Sequence, residues 1–251
     1  DATFSSNTSP QLKYGENSYR GALSFHPTTD THYYFSWSDT FSPTADLYQL
    51  TVAPLPPERS DVFEIGTKWL VGDLALRAAV YRATKNWERN VDLESTAAVL
   101  TKKRRANGLE LEAAGRINER WELFSGFSYI DSEILETAIN VNAITGVLTQ
   151  GNAGYIGKPA RNTPKYTFNL WTTYKVTGPW KIGGGMEFKD ERLAFNPSGA
   201  GAPPTLNGVF HPNTAPSYTR FDALLAYEQP KWAVRLNVKN LFDRLYFDSV
   251  Y

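Results

Sequence analysis

Leu109-Glu110-Leu111-Glu112-Ala113-Ala114-Gly115-Arg116-Ile117 alternates with a period of two. One face carries Leu109, Leu111, Ala113, Gly115 and Ile117. The other carries Glu110, Glu112, Ala114 and Arg116. Such alternation is the mark of a β-strand with two unlike faces. Charged residues on the second face would be costly in a dry core. They suit the water-filled or plugged lumen of a transmembrane β-barrel.

The pattern recurs along the chain. Tyr19, Gly21, Leu23 and Phe25 share a face, as do Tyr33, Phe35 and Trp37. Phe63, Ile65, Thr67 and Trp69 oppose Glu64, Gly66 and Lys68, and Leu74, Leu76, Ala78 and Val80 oppose Arg77 and Tyr81. Tyr166, Phe168, Leu170 and Tyr174 oppose Thr167, Asn169 and Thr173, and Trp232, Val234, Leu236 and Val238 oppose Arg235, Asn237 and Lys239. Ten strands are expected, at 17–26, 31–42, 60–70, 74–88, 103–117, 121–132, 164–177, 180–193, 217–228 and 232–242. Each is near the length that a tilted spanning strand needs.

The connections alternate in length. Short ones with turn chemistry are Pro27–Asp30, Val71–Asp73, Asn118–Arg120, Thr177–Pro179 and Gln229–Lys231. Long ones cover about 43–59, 89–102, 133–163 and 194–216. In an up-and-down antiparallel barrel this puts all short turns on one rim and all long loops on the other, as in outer-membrane barrels. Phe25, Tyr33, Trp69, Trp121, Tyr174, Trp180, Tyr227 and Trp232 gather beside the short turns. Amphipathic rings at headgroup level account for that placement.

Composition agrees. Aromatics make up 14% of the 251 residues, and 26 Lys and Arg balance 26 Asp and Glu. Balance gives no argument for nucleic acid as a partner. With no cysteine, disulfides, thiol catalysis and thiolate metal sites are excluded. Mean hydropathy is −0.41 and no run of about 18 apolar residues exists. A barrel strand shows lipid only at every second residue, so low hydropathy is compatible with a membrane.

Five stretches carry a family resemblance. Asn237-Val238-Lys239-Asn240-Leu241-Phe242-Asp243-Arg244-Leu245-Tyr246-Phe247 resembles the signature near the C-terminus of TonB-dependent outer-membrane receptors. Arg161 to Tyr174, with Asn162-Thr163-Pro164 and Leu170-Trp171-Thr172-Thr173-Tyr174, is similar to the siderophore-receptor branch, as is Pro216 to Ala223. Gly108 to Ala113 and Tyr34 to Pro43 resemble two further family strands.

The resemblance implies a bacterial outer-membrane protein and a 22-stranded barrel closed by an N-terminal plug. Residues 1–251 would be the C-terminal portion, roughly strands 12 to 21, with the plug, the first barrel half and the last strand outside it. It implies TonB-dependent uptake of a ferric siderophore, catecholate type, by binding and not by catalysis. Partners would be outer-membrane lipid and lipopolysaccharide, the TonB complex through the plug, and the siderophore, with a monomeric barrel and no cofactor. The alternatives are another cargo (haem, cobalamin or a glycan) or a soluble all-β carbohydrate-binding module. The inward charges and the aromatic rim speak against the module.

Candidate ligand contacts on the long-loop side are Arg89, Arg104, Arg105, Tyr155, Lys158, Arg161, Arg192 and Phe195, with Lys102, Lys103, Lys189 and Phe210 nearby. Cations would stabilise a trianionic ferric tris-catecholate and aromatic rings would stack on it. Contact with lipopolysaccharide phosphate, or plain solvation, explains the same cations. Arg77, Glu110, Glu112, Arg116 and Arg235 are candidate lumen- or plug-facing residues. A structural ion-pair network would use them equally well.

Other chemistry is weakly signalled. Glu110 with Glu112, and Glu122 with Asp131, could pair as in a glycosidase, but lining a lumen explains them better. His26 and His32 flank one short turn near Asp30 and could begin a metal site. No third ligand is evident, and a periplasmic turn is the simpler reading. Gly183-Gly184-Gly185 lacks a phosphate-loop lysine and fits a bend within a strand.

Overall fold

The computed structural model describes residues 15–42, 57–89, 99–137, 139–141, 148–150, 156–193, 205–206, 209–210 and 214–248. Ten long strands form one antiparallel sheet. They are β1 Tyr19–Thr28, β2 Thr31–Ser42, β3 Glu58–Val71, β4 Leu74–Arg89, β5 Val99–Asn118, β6 Trp121–Thr137, β9 Tyr166–Thr177, β10 Trp180–Lys189, β15 Tyr218–Gln229 and β16 Trp232–Val238. Each pairs with its neighbours in chain order, and β1 and β16 are the two edges. Among the described residues, six short strands make three small ladders in the long connections: β7 Ile139–Val141 with β8 Leu148–Gln150, β11 Arg192–Leu193 with β14 Thr214–Ala215, and β12 Thr205–Leu206 with β13 Val209–Phe210.

Tight turns set the register. Gly72 (φ 61°) and Gly178 (φ 51°) adopt the left-handed conformation that such turns favour. At Asn118 the side-chain amide oxygen accepts from the backbone N–H of Arg120 (2.9 Å) and of Trp121 (3.0 Å), which fixes the β5–β6 turn. The register then carries one face across all ten strands. Leu23 lies opposite Phe35, Phe35 opposite Ile65, Ile65 opposite Val80 and Val80 opposite Leu109. Leu109 lies opposite Tyr129, and Tyr129 opposite Tyr166.

That face is apolar and exposed. Leu23 is 74% accessible, Ile65 59% and Val234 62%. Among the described residues the buried apolar set is small, namely Ala79, Ile134, Ala160, Leu193, Ala215, Tyr218 and Ala226. A surface this apolar over so few buried side chains is adapted to lipid, not to water.

Aromatics border the apolar face at both ends. Beside the short turns, Trp180 meets Tyr227 edge-on at 4.9 Å and Tyr227 meets Trp232 at 5.4 Å. Trp121 lies opposite Tyr174 and donates its indole N–H to Thr172 Oγ1 at 2.6 Å. At the loop end, Trp37 packs near Phe63, and Tyr166 near Phe127 and Tyr129. Only the belt beside the short turns is legible in the sequence. Tyr166 and Tyr174 are eight residues apart on β9. At about 3.4 Å per residue that is roughly 27 Å along the strand. A tilt of about 40° brings this close to the height of an outer-membrane apolar band.

Several expected boundaries move. The strand expected at 232–242 ends at Val238. Asn240 (φ 53°) and Asp243 (φ 49°) turn the chain out of the ladder. The strand expected at 180–193 ends at Lys189, because Arg192 and Leu193 pair with Ala215 and Thr214 instead. β3, β5 and β6 run further into the long connections, with 14, 20 and 17 residues.

Candidate functional site

Among the described residues, polar clusters line the inward face. The first crosses β2 to β5. Tyr34 donates to Glu64, and Arg77 reaches Glu64 at 3.9 Å and Glu112 at 3.4 Å. The Tyr34 ring lies over Gly66 and the Tyr81 ring over Gly108, where no Cβ would fit without displacing them. Glycine therefore lets two large inward rings lie flat on the wall.

The second cluster crosses β6, β9 and β10. Glu122 accepts from Thr173 Oγ1 and from Lys181 Nζ, both at 2.9 Å. Nearby, Arg235 on β16 pairs with Glu228 on β15 at 2.8 Å, and Arg116 pairs with Asp73.

The third cluster lies at the loop end of β10 and β15. Arg220 reaches Glu187 at 3.1 Å and Asp222 at 3.3 Å, and donates to the Tyr246 hydroxyl at 3.1 Å. Tyr218 donates to Glu187, and its ring lies tilted against that of Tyr246 with centroids 4.7 Å apart. The Arg192 guanidinium is buried, lies over the Tyr218 ring and donates to the Phe247 carbonyl. Lys189 pairs with Asp248, and its ammonium holds that carboxyl below the usual carboxylate range. The segment after β16 is thereby clasped to the wall.

A cavity of about 310 Å³ adjoins this cluster. Ser132, Thr163, Lys165, Asp190 and Arg192 are among the residues around it. The segment 156–165 forms one side. It is pinned by Ile134 N–H to the Lys158 carbonyl (2.9 Å), Ala160 N–H to Ser132 Oγ (3.0 Å) and Asn162 N–H to the Leu193 carbonyl (3.0 Å). Mixed charges around an opening can hold a polar, charged ligand of small-molecule size.

The lumen candidates Arg77, Glu110, Glu112, Arg116 and Arg235 all stand on the inward face, opposite the lipid-facing set in the register. The loop-side candidates divide. Arg104 turns inward and pairs with buried Glu88 at 2.8 Å, while Arg105 turns outward and pairs with Glu133 at 2.8 Å. Lys102 pairs with Glu136. Lys158 and Arg161 lie on the segment beside the cavity, and Arg192 lines it. Tyr155 and Phe195 lie outside the described residues, as do the side chains of Arg89 and Phe210.

One expected pairing is corrected. Glu122 faces inward opposite Thr173, whereas Asp131 faces outward opposite Asn107. The two are nine residues apart, and an odd spacing on a strand puts them on opposite faces. Tyr218, Tyr246 and Asp248 join the site only in the structure. Arg192 and Lys189 signal that cluster as loop-side cations, and Arg220 and Asp222 share a strand face there.

An apolar lipid-facing belt between two aromatic rims, short turns at one end and a charged inward wall define an outer-membrane β-barrel wall. Residues 1–241 match the family described as TonB dependent receptor-like, beta-barrel, and the chain belongs to that family. It is 29% identical to the probable TonB-dependent siderophore receptor PiuA of Acinetobacter baumannii, over 93% of this chain and 31% of that protein. It is equally similar to the probable TonB-dependent receptor BfrD of Bordetella pertussis, over 93% and 30%. The catecholate siderophore receptor Fiu of Escherichia coli K12 is 27% identical over 77% of this chain and 23% of its own length. The crystal structure of PiuA superposes with a TM-score of 0.76, covering 93% of this chain and 33% of that one. The chain thus spans about a third of the length of the relatives it matches most fully.

Proposed function

We propose that this chain is part of a receptor that imports a ferric siderophore of catecholate type across the bacterial outer membrane. The observation that supports it most is the similarity to PiuA along 93% of the chain in both sequence and fold. The receptor binds its cargo and does no bond-making, so it is not an enzyme, and iron enters as cargo, not as a cofactor. A plug outside this chain would sit against Arg77, Glu112 and Arg235 and couple the receptor to TonB. Cargo would meet the loop end, where Arg192 lines the cavity, Lys158 and Arg161 lie on the segment beside it and Arg104 turns inward, while Arg89, Arg105, Tyr155 and Phe195 stay candidates on the sequence alone. Guanidinium and ammonium groups oppose the chelate's negative charge, and aromatic rings stack on catechol rings.

Binding of a panel of ferric chelates by the full-length receptor, read as quenching of tryptophan fluorescence, tests the reading. Saturable quenching by ferric tris-catecholate is expected. Saturation by haem, cobalamin or an oligosaccharide instead would replace the cargo and leave the barrel assignment standing.

A further inference from the structure

The β1–β2 hairpin presents a feature that siderophore transport does not use. His26 and His32 stand on the inward face beside the short turn, between the Phe25–Tyr33 and Thr28–Thr31 partners of the register. Their rings are stacked with centroids 4.1 Å apart and 8° between planes. His32 Nε2 is buried and has no hydrogen-bond partner. A buried ring nitrogen without a partner is rare, because losing water without a replacement bond is costly.

We propose that His26 and His32 form a two-imidazole site for a divalent transition-metal ion, preferentially Cu(II), then Ni(II) or Zn(II). Neutral imidazole nitrogens are ligands for these ions, and affinity at a nitrogen site peaks at Cu(II). Hard ions such as Mg(II) and Ca(II) need oxygen ligands, which this pair does not offer. The ring planes are parallel and the lone pairs lie in them, so binding would open the stack by rotation about the side-chain bonds and bring both nitrogens onto one ion. Among the described residues no third side-chain ligand joins the pair, and water would fill the other positions. The neighbouring groups shape the site. Tyr34 lies 5.6 Å from His32 and is engaged with Glu64. Lys68, opposite His32 on β3, holds its ammonium over the Tyr34 ring at 5.6 Å. That cation opposes a bound metal ion and sets the affinity below that of an isolated pair.

The test uses full-length receptor in detergent, without a polyhistidine tag, titrated with Cu(II) at pH 7.5. One Cu(II) per chain is expected, with two-nitrogen hyperfine structure in the paramagnetic resonance spectrum. His26→Gln and His32→Gln should each weaken binding at least tenfold, and the double variant should be no weaker than the singles. Lys68→Met should tighten it several-fold. Retained binding in both single variants overturns the proposal, as does a wild type that binds no more Cu(II) than the double variant. Heat-modifiable gel mobility reports that each variant is folded. Ferric siderophore binding on the same samples should be unchanged, so failure of the transport reading is read separately.

Discussion

Arg220 on β15 donates a hydrogen bond of 3.1 Å to the hydroxyl of Tyr246, eight residues past the end of β16. The same guanidinium reaches Glu187 and Asp222. One arginine therefore ties polar groups of β10 and β15 to the returning segment. Arg220→Ala should cost about 1–2 kcal/mol of stability, the range for a partly exposed charged network. Tyr246→Phe should cost about 1 kcal/mol or less. Both should speed proteolytic cleavage within 239–248 of folded receptor, and unchanged cleavage in Arg220→Ala would show that the clasp is not held by this residue.

Gly115 has φ 137°, and a Cβ there would overlap the Asp73 carbonyl in the β3–β4 turn. That contact is backbone and cannot swing aside. At Gly108 the obstacle is the far end of the Tyr81 side chain, which can rotate into the lumen. Gly115→Ala is therefore expected to destabilise by about 2–3 kcal/mol and Gly108→Ala by about 1 kcal/mol. Urea unfolding in lipid vesicles gives the ranking, and the reverse order would contradict the turn geometry.

Leu170 lies midway between Tyr166 and Tyr174 on the lipid face, and Asn169 beside it faces inward. Leu170→Arg should lower stability by about 2–4 kcal/mol, the cost of a cation at the bilayer midplane. Asn169→Arg should cost under about 1 kcal/mol. Equal losses in folding assays with vesicles would mean that the two faces have been assigned wrongly.

Lys189 lowers the carboxyl pKa of Asp248. A depressed carboxylate adds stability that is present above the unfolded pKa of about 3.9 and disappears as pH falls through the folded value. Hydrogen exchange in 239–248 should therefore be insensitive to pH change between 6 and 8, after correction for intrinsic rates. Protection should fall below about pH 4. Lys189→Met should remove the acid-dependent loss attributable to this pair.

The alternation Leu109–Ile117 and its repeats make the two-faced strands legible, since side-chain direction follows residue parity and needs no partner. Turn residues such as Gly72 and Asn118 are readable for the same local reason. The loop-end belt of Trp37, Phe63, Tyr129 and Tyr166 was not visible, because its members come from different strands and meet only through register. Arg104 and Arg105 looked alike as cations on one rim. Parity sends one inward to Glu88 and the other outward to Glu133.

Sequence alone determined the class of structure: ten amphipathic strands, unequal connections, a membrane and a family. Those properties are written in nearest-neighbour chemistry along the chain. Only the tertiary structure decided which charges meet. Glu122 finds Lys181 across β9, and Tyr246 returns to Arg220 after Asn240 turns with positive φ. Such contacts depend on the register of several paired strands, and no local pattern records a distance between residues that the fold brings together.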